Sequence, residues 1–190
     1  MKAVAVFPER KEYRVIDHPE PALQSASQAK VRILDVGICG TDKEIVSFQY
    51  GTPPEGSNYL IIGHESLGRV VEAQPESGFG TGDWVVGIVR HPDPVPCASC
   101  AAGEWDMCRN GQYTERGIKA LPGFAAERYG SAPDKRVKVD PKPGDLGGRL
   151  EPTSVGAKAW GDTEGAGGGA RRGGVRGAGW LGRGRGRRGR

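Results

Sequence analysis

The feature that most restricts this chain is its punctuation. From Met1 to Tyr129 short β-prone runs are broken by Gly and Pro at close intervals. Met1 to Phe7 is short and apolar and is read as an edge strand, followed by Tyr13 to Asp17 (YRVID). Lys30 to Ile38 places Val31, Ile33 and Asp35 on one face and Arg32, Leu34 and Val36 on the other, so it is buried on more than one side. Tyr59 to Ala73 is a long run broken by Gly63 and Gly68. Trp84 to Arg90 is entered through a Gly82-Asp83 turn, and Phe124 to Tyr129 adds one more strand. Many short strands joined by Gly and Pro predict a mainly β, mostly antiparallel barrel. Glu151 to Trp160 has Pro152 in a first-turn position and then helix formers, which predicts one helix.

The composition divides the chain. Residues 161–190 hold 13 of its 32 glycines and 8 arginines, and no period of either kind. So little apolar surface cannot offset the entropy of ordering, and this Gly/Arg-rich tail is expected to be disordered. Its only acids are Asp162 and Glu164, so it carries +6, whereas the body has 19 basic against 21 acidic residues. The net +4 is therefore all tail, and a basic nucleic-acid-binding domain is excluded. The tail has a single aromatic, Trp180, for stacking, so a nucleic-acid partner is not expected. Gly177-Ala178-Gly179-Trp180-Leu181-Gly182 matches a dinucleotide fingerprint in form, but no strand precedes it and no acidic residue follows. No apolar run approaches the ~20 residues of a membrane helix. The N-terminus turns charged too soon for a secretory signal, so a cytoplasmic protein is expected.

Three segments carry ligand chemistry. Cys39 lies in Gly37-Ile38-Cys39-Gly40-Thr41-Asp42, His64 in Gly63-His64-Glu65, and Glu151 in Leu150-Glu151-Pro152. Cys, His and carboxylate are the donors of a catalytic zinc site, which keeps three protein ligands and one open position. Zinc there polarises a substrate oxygen. A second cluster, Cys97-Ala98-Ser99-Cys100 with Cys108 beyond it, sits in a loop rich in Pro and Gly. Thiolates at this spacing favour a structural zinc. A redox C-x-x-C would need a strand before it, where this chain has Pro92, Pro94 and Pro96.

The order C-G-T-D, G-H-E, a Cys-rich lobe and L-E-P resembles the catalytic domain of zinc-dependent medium-chain dehydrogenases. The runs Asp35 to Asp42, Ile62 to Gly68, Gln49 to Gly56 and Asn110 to Lys119 are similar to the glucose dehydrogenase branch. The resemblance implies a GroES-like, partly open β-barrel over residues 1–160, with a few short helices and a zinc-lobe loop. It implies a catalytic zinc on Cys39, His64 and either Glu65 or Glu151. It gives Thr41 a hydrogen bond to the reacting hydroxyl, and Glu115 and Glu151 hydrogen bonds from the sugar. It implies oxidation of glucose at its anomeric carbon, with hydride passing to NAD or NADP, in a homo-oligomeric enzyme. Another alcohol, polyol or threonine dehydrogenase, or a non-enzymatic zinc-binding barrel, is the alternative.

The chain departs from the family at three places. The family's first lobe cysteine falls at Pro94, so Asp93 is the replacement oxygen donor beside Cys97, Cys100 and Cys108. Arg90 stands where some sugar dehydrogenases place a small polar group, and is expected to donate to a hydroxyl or to face solvent. The family's Rossmann domain has no room in 190 residues, so a truncated or frameshifted fragment with no turnover of its own is expected.

Overall fold

A computed structural model describes residues 1–142 and 144–167. The long tail expected to be disordered therefore lies, from residue 168 onward, outside the described residues.

The order of elements follows the punctuation. Strands β1 (Lys2–Phe7), β2 (Glu12–Asp17) and β3 (Ala29–Gly37) lead into a short helix, α1 (Gly40–Val46). Strands β4 (Leu60–Ile61), β5 (Glu65–Ala73), β6 (Trp84–Gly87) and β7 (Arg90–His91) follow. A lobe contains α2 (Ala98–Ala101) and a 3-10 turn at Trp105–Met107. Strands β8 (Thr114–Arg116), β9 (Ala120–Leu121), β10 (Arg128–Ser131) and β11 (Arg136–Val139) come next, and α3 (Leu150–Gly167) ends the described chain.

The strands form three sheets, ordered β2-β1-β4, β10-β3-β5-β6-β11 and β7-β8-β9. Every pairing is antiparallel except β8 with β9. The Ala3–Ala126 bridge and the Val4 N–H donated to Ala125 O stitch the first sheet to the second. The fold is mainly β with few short helices, as the sequence implied.

The differences from expectation have local causes. The run from Met1 is the centre of its sheet rather than an edge, because β4 pairs on its far side. In β3 a bulge between Ile33 and Asp35 breaks the alternation. Val36 then packs with Ile33 against the core of Val31, Val70, Val85 and Phe124, and Asp35 turns to solvent. Gly68 does not interrupt β5. The break falls at Gly63 alone, whose φ of +85° suits glycine and whose Cβ would meet Val36 and the Ala125 amide. The final helix starts at Leu150 and continues past residue 160 to Gly167. No proline follows Pro152, and its interior glycines cost only about 1 kcal/mol each relative to alanine.

Phe124 is fully buried and packs on Tyr129 with ring centroids 4.7 Å apart. Phe124→Ala is expected to lower folding stability by about 3–5 kcal/mol, read from a urea transition. A loss under about 1 kcal/mol would mean that this core is not packed as described.

Candidate metal centre and cleft

Cys39 is the N-cap of α1, in extended conformation, and its sulfur receives the amide of Asp42. Asp42 returns the bond, its Oδ2 accepting the Cys39 N–H at 3.1 Å. Its other oxygen, Oδ1, accepts the Gly63 N–H at 3.2 Å and lies 3.5 Å from His64 Nδ1. One buried carboxylate thus ties the Cys39 segment to the His64 segment. His64 Nε2 then points at Cys39 Sγ, 3.1 Å away. Glu65 opens β5 opposite Gly37, and its carboxyl folds back over that residue so closely that a Cβ there would overlap it.

The donor atoms of Cys39, His64 and Glu65 all lie within 4.8 Å of one another. Sulfur, imidazole nitrogen and carboxylate oxygen at this separation fit a zinc ion. Asp42 Oδ1, 3.5 Å behind His64 Nδ1, is placed to orient the ring so that Nε2 faces the other two donors. Glu151, in the first turn of α3, lies in the same cleft but outside this donor group.

The electrostatics agree with a cation site. Burial disfavours the imidazolium of His64, yet the Asp42 carboxylate outweighs it and, with Cys39, pulls the ring up to about 9. Burial alone would raise Asp42. The His64 ring 3.5 Å away and the amides of Cys39 and Gly63 instead hold it below the usual carboxylate range. Burial pushes Glu151 up, His64 draws it partly back, and the Glu65 carboxylate raises it further.

These groups line a cleft of about 800 Å³. Thr41, Glu65, Glu115 and Glu151 supply its polar walls, with Val86, Ile88, Val89 and Ile118 as apolar ones. Arg90 takes neither expected role. Its Nε and Nη2 both donate to Glu115 Oε1, at 2.8 and 2.6 Å. The sequence reading missed this pair, although Arg90 and Glu115 face each other in the β7–β8 register. It also missed Lys158 of α3, which reaches Asp106 Oδ2 at 3.4 Å across the cleft.

In the lobe, the sulfurs of Cys97, Cys100 and Cys108 lie within 4.8 Å of one another. Pro94 is exposed and Asp93 is buried, with its Oδ2 3.7 Å from Cys108 Sγ. Asp93 also accepts the amides of Val95 and Gln112, which aim its carboxylate inward. The three thiols fit a zinc ion, and Asp93, beside Cys108 but outside this donor group, is the nearest carboxylate to complete four-coordination. Amides of Arg109 and Cys100 bring the Cys97 thiol down to about 6, whereas burial and the Cys108 thiol push Cys100 up to about 11.

Metal must displace the protons on His64 and Cys100 at pH 7. Zinc loading is therefore expected to release at least the two protons of these groups, and affinity at the Cys39 site to rise with pH up to about 9. Calorimetry in buffers of different ionisation enthalpy reads the release directly. Heats that do not depend on the buffer would contradict the protonated metal-free sites.

No helix among the described residues is long and apolar enough to cross a membrane. The sequence matches the family described as alcohol dehydrogenase GroES-like domain over residues 25–141. It is 43% identical over 157 residues to a glucose 1-dehydrogenase of Methanocella arvoryzae, covering 82% of this chain and 44% of the relative. It is 36% identical over 156 residues to glucose 1-dehydrogenase 2 of Caldivirga maquilingensis, covering 81% and 42%. Among solved structures, Haloferax mediterranei glucose dehydrogenase in complex with NADP, Zn and gluconolactone superposes with a TM-score of 0.80 at 34% identity, covering 87% of this chain and 46% of that one. The chain thus spans less than half the length of the relatives it matches.

Proposed function

We propose, since this chain belongs to the alcohol dehydrogenase GroES-like domain family of zinc-dependent medium-chain dehydrogenases, that its cleft is the metal- and sugar-binding part of a glucose 1-dehydrogenase site. The observation that carries this reading is the convergence of Cys39, His64 and Glu65 beside Thr41, Glu115 and Glu151 in one cleft. The likeness to glucose 1-dehydrogenases supports the choice of sugar. A zinc ion held there supplies Lewis-acid polarisation of the reacting hydroxyl.

The chain's own residues do the rest. Asp42 fixes His64 and caps Cys39, so the donors are arranged before any ligand arrives. Thr41, in the first turn of α1, accepts the proton of the reacting hydroxyl in a hydrogen bond and passes it towards solvent. Glu115 Oε2, which takes no hydrogen bond from the described residues, accepts a sugar hydroxyl, and Glu151 accepts another. Val86, Ile88, Val89 and Ile118 exclude water from the reacting carbon. In the whole protein, hydride would pass from the anomeric carbon of glucose to NAD or NADP, leaving gluconolactone. The cleft's part in this is to bind zinc and sugar.

The test is a titration of the zinc-loaded chain with glucose, gluconolactone and sorbitol, followed by amide chemical shifts and by NAD(P) reduction. Shifts confined to residues around Thr41, Glu115 and Glu151, with glucose and gluconolactone ahead of sorbitol and no reduction, are expected. Equal or stronger shifts with sorbitol would move the assignment to a polyol enzyme. Reduction at an ordinary dehydrogenase rate would overturn the division of labour.

A further inference from the structure

Arg90 joins two parts of the molecule that have separate metal chemistry. Its guanidinium offers five N–H donors in one rigid plane. Nε and Nη2 hold Glu115 Oε1 in the cleft, and Nη1 donates to the backbone carbonyl of Asp106 at 2.9 Å. The flat face lies 4.3 Å from the centre of the Tyr113 ring. Asp106 belongs to the 3-10 turn Trp105–Met107, between Cys100 and Cys108. The turn closes on the lobe cluster, because the Cys108 amide donates to Trp105 O. Glu115 is buried, and among the described residues Arg90 is the one cation paired with its carboxylate.

We propose that Arg90 is a positioning residue through which the Cys97/Cys100/Cys108 lobe sets the Glu115 carboxylate that receives the sugar. The proposal rests on the reading of the cleft as a sugar site. The physical reason is geometric. The guanidinium plane is anchored at Asp106 on one side and at Glu115 on the other. If the lobe relaxes, the Asp106 carbonyl moves, the plane rotates, and Glu115 Oε1 loses one of its two bonds. The free oxygen Oε2 then leaves the position from which it meets a hydroxyl. A lysine cannot substitute, since a single ammonium does not span both anchors in fixed geometry.

The test reads the Nε–H resonance of Arg90 in the zinc-loaded chain, assigned by its loss in Arg90→Lys. Cys108→Ser, which removes a lobe donor, is expected to speed solvent exchange of this proton by about tenfold or more. Cys39→Ser, which removes a donor from the cleft metal only, is expected to leave it within about twofold. Stepwise zinc loading of the unsubstituted chain repeats the test without relying on a variant that must fold: the resonance gains protection with the zinc equivalent that Cys39→Ser still binds. Arg90→Lys is expected to weaken glucose binding about tenfold while both metals stay bound. An Arg90 proton indifferent to lobe metal, or Arg90→Lys binding glucose as tightly as arginine, would overturn the proposal. A zinc-loaded natural chain that shows no response to glucose overturns the sugar reading instead, and the exchange measurement separates the two failures.

Discussion

Cys39→Ser is expected to hold one zinc equivalent where the natural chain is expected to hold two, with affinity at the altered site lowered more than about 100-fold. The site has few donors to spare. Among the described residues the group comprises only Cys39, His64 and Glu65, and Glu151 stands outside it. Sulfur is also the donor that favours zinc over the harder cations of the cell. Two further consequences sharpen the expectation. Cys39 caps α1, so serine, itself a good cap, keeps the helix while removing the thiolate. Asp42→Asn leaves all three donors but weakens the hold on His64, and a smaller loss of about 10–100-fold is expected. Elemental analysis after dialysis against a graded chelator measures both. Retention of two equivalents by Cys39→Ser would remove the cleft metal from this account.

The second large effect belongs to the lobe. Cys100→Ser is expected to lose the other zinc equivalent and leave the cleft metal in place, because the two donor clusters share no residue. Asp93→Cys is expected to bind zinc more tightly than the natural chain, since a fourth thiolate replaces a carboxylate at a position already aimed at Cys108. Pro94→Cys restores the family's spacing, yet position 94 faces solvent and is expected to add nothing. Competition against a chromogenic zinc chelator ranks the three variants. Tighter binding by Pro94→Cys than by Asp93→Cys would show that position 94, not 93, closes the site.

Much of this was legible in the chain. The strand runs and the ligand segments stand out because Gly and Pro mark their limits and because Cys, His and Glu occur there in ligand-bearing company. Asp93 was reachable from the spacing of the thiols, and it lies beside one of them, Cys108, while standing outside the group of three sulfurs. What escaped was set by pairing rather than by local pattern. The bulge at Ile33–Asp35, which turns Val36 inward, depends on which residues of β5 lie opposite. The central place of β1 depends on β4, a two-residue strand too short to show a period. The Arg90–Glu115 pair depends on the β7–β8 register, 25 residues apart in sequence. Asp42 is a different case. Its spacing of three from Cys39 is that of a capping box, a signal present in the sequence but readable only once the short helix α1 is recognised.

The most direct measurement of the central claim is the visible spectrum of the cobalt-loaded chain during titration with gluconolactone. If Cys39, His64 and Glu65 hold a metal that faces the sugar, the d–d bands shift on titration, and the shift is absent from Cys39→Ser and preserved in Cys100→Ser. A spectrum that gluconolactone leaves unmoved in the natural chain, with cobalt bound at both clusters, would contradict it.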